Sequence, residues 1–479
     1  MLRRTDFYID GKWVAPTAPR ELEVVNPADE QPFAVISLGA AADVDKAVAA
    51  ARRAFGPWAA TPLDQRVGLL EKLLDVYNAR ADEMAKAISS EMGAPLKLAI
   101  EEQAAAGSYH IKNFIRTLKA FAFDHALDER YPQERIIREP IGVCGLITPW
   151  NWPMNQVALK VVPAVGVGCT VVLKPSEIAP MSSLLFAEFM DEAGFPAGVF
   201  NLVNGDGLGV GEAMSRHPDI DMMSFTGSTR AGVAVTKGSA DTVKRVTLEL
   251  GGKSPNLVFA DADLEDAVMR GLDHCFENTG QSCNAPTRML VERPVYDRAV
   301  EIAERHAKAA KVGNPAEDGG HIGPLVSQAQ FDKVQGLIEI GIKEGARLLA
   351  GGPGRPEGFN RGYYVRPTVF ADVTSEMTIA REEIFGPVLA MIPFETEEEA
   401  IRIANDTPYG LASYVQTGDP ERARRVSRQL QAGMVQVNGA SRAPGSPFGG
   451  YKQSGLGREG GKFGIEDFLE IKAVSGWPT

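Results

Sequence analysis

The sequence predicts an α/β protein built from two doubly wound domains, and three observations carry that expectation. Short apolar runs alternate with helical stretches from Gly142 to Glu249, a second alternating series runs from Pro255 to about Gly439, and 479 residues exceed what one ordinary core encloses. The chain opens with Phe7-Tyr8-Ile9-Asp10-Gly11-Lys12-Trp13-Val14, whose Asp-Gly turn between extended runs predicts a small hairpin. Asp43 is placed to cap a helix whose Val44, Ala47, Val48, Ala51 and Phe55 share one face, and Leu69, Leu70, Leu73, Leu74 and Tyr77 repeat that spacing in a second helix.

The first alternating series supplies strands at Val143 to Ile147, Thr170 to Leu173, Val199 to Val203, Met222 to Phe225 and Val246 to Leu250. Alternation of this kind predicts a parallel sheet, and ligands of such sheets lie beyond the carboxyl ends of the strands. Those ends are Thr148-Pro149-Trp150-Asn151, Lys174-Pro175-Ser176-Glu177, Asn204-Gly205-Asp206-Gly207 and Thr226-Gly227-Ser228, so polar and glycine-rich residues gather where a cofactor would lie. The second series supplies Leu257 to Phe259, Met289 to Val291, Arg347 to Ala350, Val388 to Pro393, Ala412 to Gln416 and Met434 to Val437. The polar segment Phe123 to Pro140 interrupts the first domain. It is expected to pair with the extended tail around Phe468-Leu469-Glu470-Ile471-Lys472 or with a neighbouring subunit.

Hydrophobic residues make up 44% and charged residues 23%, the balance of a soluble globular enzyme. A net charge of −12 supplies none of the basic field that nucleic acid or an anionic membrane requires, which favours a small-molecule substrate. The four cysteines, Cys144, Cys169, Cys275 and Cys283, form no C-x-x-C pair, and no histidine stands at metal-ligand spacing. Neither a disulfide framework nor a metal site is expected, and a reducing cytoplasm fits. The basic amino terminus has no apolar stretch after it to make a secretory signal. The most apolar stretch, Val161 to Leu173, contains Pro163, Gly166 and Gly168 and is shorter than the roughly 20 residues that span a bilayer.

The chemistry concentrates in Asn278-Thr279-Gly280-Gln281-Ser282-Cys283-Asn284-Ala285-Pro286-Thr287-Arg288, where one cysteine stands among small polar residues. Sulfur adds to a carbonyl and survives as a thioester that water can cleave, and a carboxylate activates that water. Cys144 and Cys169 lie in apolar strands and are read as buried packing. Cys283 is read as an accessible, reactive thiol.

The motifs Thr148-Pro149-Trp150-Asn151-Trp152-Pro153, Phe225-Thr226-Gly227-Ser228, Glu249-Leu250-Gly251-Gly252-Lys253, Gly280-Gln281-Ser282-Cys283, Glu382-Glu383-Ile384-Phe385-Gly386-Pro387 and Pro447-Phe448-Gly449-Gly450-Tyr451-Lys452 occur in this order. As an ordered set they resemble the NAD(P)-dependent aldehyde dehydrogenase superfamily over essentially the whole chain. In detail they look like its bacterial catabolic branch acting on semialdehydes and oxo-acids, including pyridine-bearing ones. The resemblance implies an NAD-binding domain over 1-122 and 141-251, a catalytic domain over 252-453 and an oligomerisation element over 123-140 and 454-479. Its members assemble as homodimers or homotetramers.

By the same resemblance Cys283 is the nucleophile, Glu249 the base for hydrolysis, and Asn151 the oxyanion donor beside the Cys283 N–H. Lys160 and Glu459 resemble a secondary proton-relay pair, with plain surface charges as the alternative. Cofactor contacts fall on Trp150, Lys174, Ser176, Glu177, Gly207, Gly211, Phe225, Gly227, Ser228, Leu250, Glu383 and Phe385, with phosphate at Ser228, where a helix start offers free N–H groups. Lys174 and Glu177 are assigned the adenosine ribose, and Glu383 with Phe385 the nicotinamide ribose. A carboxylate at Glu177 binds ribose hydroxyls and repels a 2′-phosphate, so NAD is expected over NADP. Trp152, Asn155, Gln156, Leu159, Ser282, Asn284 and Arg442 are placed at the aldehyde entrance, where the Arg442 guanidinium is positioned to hold a carboxylate or to point into water. Two other chemistries stand beside this one: a CoA-acylating dehydrogenase, and a cofactor-independent cysteine hydrolase pairing Cys283 with His274.

Overall fold

The structure, a computed structural model, describes residues 1–478. The chain opens with β1 (Leu2–Arg4), β2 (Phe7–Ile9) and β3 (Lys12–Val14), followed by β4 (Glu21–Asn26) and β5 (Gln31–Ser37). Asp10 and Gly11 both adopt positive φ, +54° and +71°. That left-handed turn matches the twist of the flanking strands and sets Phe7 opposite Val14. Helices Ala41–Ala59 and Leu63–Ala79 bury the apolar stripes read from sequence, Val44, Ala47, Val48 and Ala51 in one and Leu70, Leu73 and Tyr77 in the other. Asp43, however, is not the cap. Ala40 holds that place, and Asp43 lies in the first turn, where its carboxylate accepts from the Ala40 N–H at 3.0 Å and the Thr17 N–H at 2.8 Å. It supplies the returning half of a capping box.

After β6 (Asp124–Ala126) and β7 (Glu134–Pro140) come β8 (Val143–Ile147), β9 (Thr170–Lys174), β10 (Phe200–Leu202), β11 (Met222–Thr226) and β12 (Arg245–Glu249). Next are β13 (Pro255–Val258), β14 (Arg288–Glu292), β15 (Arg347–Ala350), β16 (Thr368–Ala371), β17 (Val388–Phe394), β18 (Ala412–Gln416) and β19 (Met434–Val437), then β20 (Gly455–Leu456) and β21 (Leu469–Ser475). The first large sheet has the order β20-β12-β11-β8-β9-β10-β2-β3. Every residue of β8, β9 and β11 is buried, as expected for parallel strands covered on both faces. From β8 the order runs outward through β9 and β10 on one side and through β11 and β12 on the other. This reversal opens a crevice beyond the carboxyl ends of β8 and β11, the place such sheets use for ligands.

The second sheet runs β15-β16-β17-β14-β13-β18-β19, parallel except for β15. Its β16 is absent from the sequence reading, although Thr368-Val369-Phe370-Ala371 is a buried β-branched and aromatic run. It is needed to join β15 to β17. Both large sheets are therefore mixed at their edges, since β2, β3 and β20 also run antiparallel to their neighbours.

Of the two pairings open to the segment before Pro140, the chain makes the internal one. β21 lies antiparallel to β7 from Leu469 opposite Pro140 to Ser475 opposite Glu134, and β6 completes a three-stranded sheet. Among the described residues no helix is long and apolar enough to cross a membrane. The apolar stretch that begins at Val161 is the buried second half of helix Pro153–Val167, with Pro163 inside it, followed by β9.

Candidate active site

Cys283 sits in the loop between helix Leu264–Phe276 and β14. Two residues of that loop, Asn278 and Thr279, have φ of +52° and +57°. For a β-branched threonine this conformation is strained, and it persists only where neighbours over-determine it. They do so here. The Thr279 hydroxyl donates to the Gly323 carbonyl at 3.0 Å, Gln281 Nε2 to the Asn278 carbonyl at 3.1 Å, and the Val326 N–H to Gln281 Oε1 at 2.9 Å.

Asn151 follows β8, and its Nδ2 donates to the Gln281 carbonyl at 2.9 Å. One N–H of that amide remains free. Glu249 ends β12, is 4% exposed, and has no hydrogen-bond partner for either carboxylate oxygen among the described residues. The glycines around it exist for lack of room. A Cβ on Gly251 would lie 2.4 Å from Glu383 Oε2, one on Gly252 2.5 Å from the Cys283 carbonyl, and one on Gly449 2.6 Å from Glu249 Oε1.

These groups meet in one cavity of about 220 Å³ at the crevice of the first sheet, lined by Cys283, Asn151, Glu249, Trp150, Gln156, Gly227, Ser228, Leu250, Glu383 and Phe385. Phe385 is held at φ +60° with its ring edge-on to Trp150, centroids 5.4 Å apart. Gln330 and Lys333 of helix Gln328–Lys343 line the same cavity and were missed from sequence. Nothing distinguishes them from other polar residues of an amphipathic helix; only the fold brings that helix over Phe385, whose carbonyl accepts from Gln330 Nε2 at 2.7 Å.

Lys174, Ser176, Glu177, Gly207, Gly211 and Phe225 lie outside that cavity. Lys174 ends β9, and its Nζ donates to the carbonyls of Pro175 at 2.9 Å and Gly205 at 2.6 Å and to Glu177 Oε2 at 3.3 Å. All three of its donor positions are engaged. Gly207 and Gly211 bound a wide turn next to it, capped by Asp206. Phe225 is buried in β11. Ser228 caps helix Thr229–Ser239, its hydroxyl accepting from the Ala231 N–H at 3.3 Å.

A second, smaller cavity of about 90 Å³ holds Asn155, Leu159 and Arg442, together with Tyr109, His110, Asn113 and Phe448. Gln156, next to Asn155 on the same helix, faces the first cavity, so adjacent positions of one helix serve the two spaces. Arg442 is exposed to solvent but borders this cavity, with its guanidinium 5.0 Å from the centre of the Phe448 ring. His110 meets Asn155 Oδ1 at 2.7 Å. Ser282 accepts from Trp152 Nε1 at 2.8 Å, and the Asn284 carbonyl accepts from the Tyr414 hydroxyl at 2.8 Å.

Two carboxylates, Glu249 and Glu383, and one ammonium group, Lys333, line the first cavity. Burial first, then the nearby carboxylates Glu383 and Glu249, push the Cys283 thiol well above its ordinary pKa. Cys283, read from sequence as an accessible, reactive thiol, is half-buried, and its surroundings disfavour the thiolate. Burial also raises Glu249 well above the usual carboxylate range, with Glu459 adding to it and Lys160 and Arg458 opposing it. Lys160 and Glu459 are no surface charges; Lys160 is 1% exposed, and its Nζ donates to Glu459 Oε1 at 2.7 Å and to the Ser224 hydroxyl at 3.0 Å. His274, the partner in the hydrolase alternative, stands edge-on to Tyr414 at 5.1 Å, where burial lowers its pKa.

A sequence model of the aldehyde dehydrogenase family matches residues 13–474. The chain is 55% identical over 473 residues, 98% of each chain, to a Pseudomonas protein named 3-succinoylsemialdehyde-pyridine dehydrogenase. Among solved structures it is similar to an aldehyde dehydrogenase from Bartonella henselae, at 56% identity, complete coverage of both chains and a TM-score of 0.99. It is also similar to a mutant of aldehyde dehydrogenase C from Pseudomonas syringae in complex with NAD+ and octanal, at 50% identity, 99% and 97% coverage and a TM-score of 0.97.

Proposed function

The chain belongs to the aldehyde dehydrogenase family, and on that premise we propose that Cys283, Asn151 and Glu249 carry out the NAD-dependent oxidation of an aldehyde to its carboxylic acid. The observation that carries this reading is the shared cavity, in which a thiol, an amide with one free N–H and an unpartnered carboxylate stand together at the switch point of the first sheet. The thiol releases its proton to solvent and sulfur bonds to the aldehyde carbon. The resulting oxyanion is held by the free Asn151 N–H and the Cys283 N–H. A bound NAD would supply the hydride acceptor for that carbon and a positive charge beside Glu249 and Glu383, to which the cavity wall itself adds Lys333. A thioester on Cys283 remains. Glu249 takes a proton from water, hydroxide adds to the thioester, and the carboxylic acid leaves as the thiol reforms. Water as acyl acceptor, and not CoA, follows from placing a base at Glu249.

Glu383 and Phe385 are suited to the nicotinamide ribose, and Ser228 with the free N–H groups of its helix to the pyrophosphate. The 220 Å³ cavity is sized for the nicotinamide end alone, which leaves the adenosine to Glu177, Ser176 and the Gly207–Gly211 turn. Lys174 has no spare donor for a 2′-phosphate, which supports NAD over NADP.

The substrate is proposed to be a semialdehyde or oxo-acid, or a pyridine-bearing relative, with a polar far end. The small cavity supports this. Asn113 Nδ2 is buried there without a partner among the described residues, and Arg442 and Asn155 stand beside it. The protein is proposed to be cytoplasmic and to assemble as a homodimer or homotetramer through its three-stranded element, on which Leu127, Tyr131 and Ile471 remain exposed. Replacing Cys283 with alanine tests the central assignment. NADH formation should fall to background across a panel of aldehydes while NAD still binds; substantial remaining turnover removes Cys283 as nucleophile.

A further inference from the structure

Gln103 lies 180 positions before Cys283, carries no motif and is fully buried. It sits on Ala99–Ala104, a wide π-type stretch inserted between helical segments. Such stretches re-aim one side chain off the regular helical path and recur at functional sites. On this stretch stands Gln103, whose Nε2 donates to the Asn151 backbone carbonyl at 3.0 Å and to Asn278 Oδ1 at 3.1 Å. Both neighbours at that end are acceptors, which fixes the amide orientation.

Asn278 closes the arrangement. Its Nδ2 donates to the same Asn151 carbonyl at 2.9 Å and to the Gln281 carbonyl at 3.3 Å, and Gln281 in turn accepts from Asn151 Nδ2 at 2.9 Å. Asn151 is therefore tied to the strained turn that leads into Cys283 twice, through its backbone carbonyl and through its side-chain Nδ2. Without Gln103, the Asn151 carbonyl and the Asn278 side chain each lose a buried partner, and nothing else described ties the two to the helical layer behind them.

We propose that Gln103, with Asn278, is a positioning residue of the oxyanion hole. It touches neither aldehyde nor cofactor and acts by setting the free N–H of Asn151 relative to the Cys283 sulfur. The proposal rests on the assignment of Asn151 as oxyanion donor given above. Displacements well under an ångström matter here, because rates of positioned reactions fall by up to about 100-fold per ångström of misplacement.

The test is a double-mutant cycle in the full-length enzyme. Gln103→Met removes the donor at nearly constant volume, and Asn151→Ala removes what it positions. Single-turnover NADH formation, the NAD dissociation constant and the melting temperature are measured for each. Gln103→Met alone should slow single turnover about 10- to 100-fold with NAD affinity unchanged. In the Asn151→Ala background it should change the rate by less than about twofold, because no positioned donor is left to lose. An equal loss in both backgrounds means general destabilisation and overturns the proposal, as does an unchanged rate in Gln103→Met. If Asn151→Ala itself leaves the rate intact, the oxyanion assignment fails and the proposal falls with it. Should Gln103→Met not fold, Asn278→Asp carries the same cycle. It keeps a residue type that tolerates positive φ and turns the amide donor into a carboxylate oxygen facing the Asn151 and Gln281 carbonyls, so its melting temperature is read beside its rate.

Discussion

Replacing Glu249 with glutamine separates the two halves of the proposed reaction. The substitution keeps the shape of a side chain that is 4% exposed and removes its charge and its basicity. A positioned general base contributes about 10²- to 10⁴-fold, which is about 2.7 to 5.4 kcal/mol at 1.36 kcal/mol per decade. Burial and Glu459 raise the Glu249 pKa above that of an ordinary carboxylate, which makes its anion the stronger base once formed. The first half-reaction should respond in the opposite sense. The Glu249 charge is one of the influences that raise the Cys283 pKa, so its removal eases thiolate formation.

Stopped-flow absorbance of NADH should then show a burst near one equivalent per site, at least as fast as wild type, followed by turnover slowed about 10²- to 10⁴-fold. The wild-type hydrolysis rate should climb with pH until Glu249 has lost its proton, and the variant should lose that climb. Two results would refute the reasoning. Steady turnover within about threefold of wild type removes Glu249 from hydrolysis. Loss of the burst in proportion to turnover makes Glu249 the base for the thiol instead.

Gly449→Ala places a methyl 2.6 Å from Glu249 Oε1 at a backbone φ of +145°, so it should displace the base and slow turnover at least about tenfold while sparing the burst; a lost burst would mean a wider collapse. Arg442→Ala should cost about 1.5 to 3 kcal/mol in kcat/KM for acid-bearing aldehydes, the range for a hydrogen bond to a charged group, and little for neutral aldehydes of equal length. Equal losses leave Arg442 as a solvated charge. Glu91 is fully buried and accepts the Met181 and Ser182 N–H groups, yet burial outweighs those bonds and raises its pKa to about 7. Between the ordinary carboxylate value and about 7 the folded chain keeps a proton that the unfolded chain has lost. Stability therefore falls as pH rises through that window, by at most about 3.5 kcal/mol. Chemical denaturation of Glu91→Gln across pH 4 to 8 should lack that decline, and an identical slope in both proteins assigns it elsewhere.

Much of the fold was legible because its signals are local. The alternation of β8 to β12 with helices, the Asp10-Gly11 turn and the apolar stripe from Val44 to Ala51 each follow from a few adjacent side chains and the period of their backbone. Asp43 was misplaced by three positions because a carboxylate satisfies first-turn N–H groups from either side of a capping box. β16 was missed although runs as short as Leu257 to Phe259 were read as strands; it is defined by its pairing with β15 and β17. For the site, the ordered motifs located Cys283, Glu249 and Asn151 but gave no hint of Gln330, Lys333 or Gln103, whose residue types are common on any helix surface.

By itself the sequence determined the class of sheet, the ends of strands where chemistry gathers, and a thiol, an amide and a carboxylate in a recognisable order. All of these are properties of short segments. Tertiary structure alone decided that Lys160 and Glu459, 299 positions apart, form a buried pair, that burial and nearby carboxylates raise the Cys283 pKa, and that Arg442 borders the small cavity of Asn113 and Asn155. Burial, dielectric and the distance between charges depend on which distant segments the chain packs together, and no local pattern of residues encodes that packing.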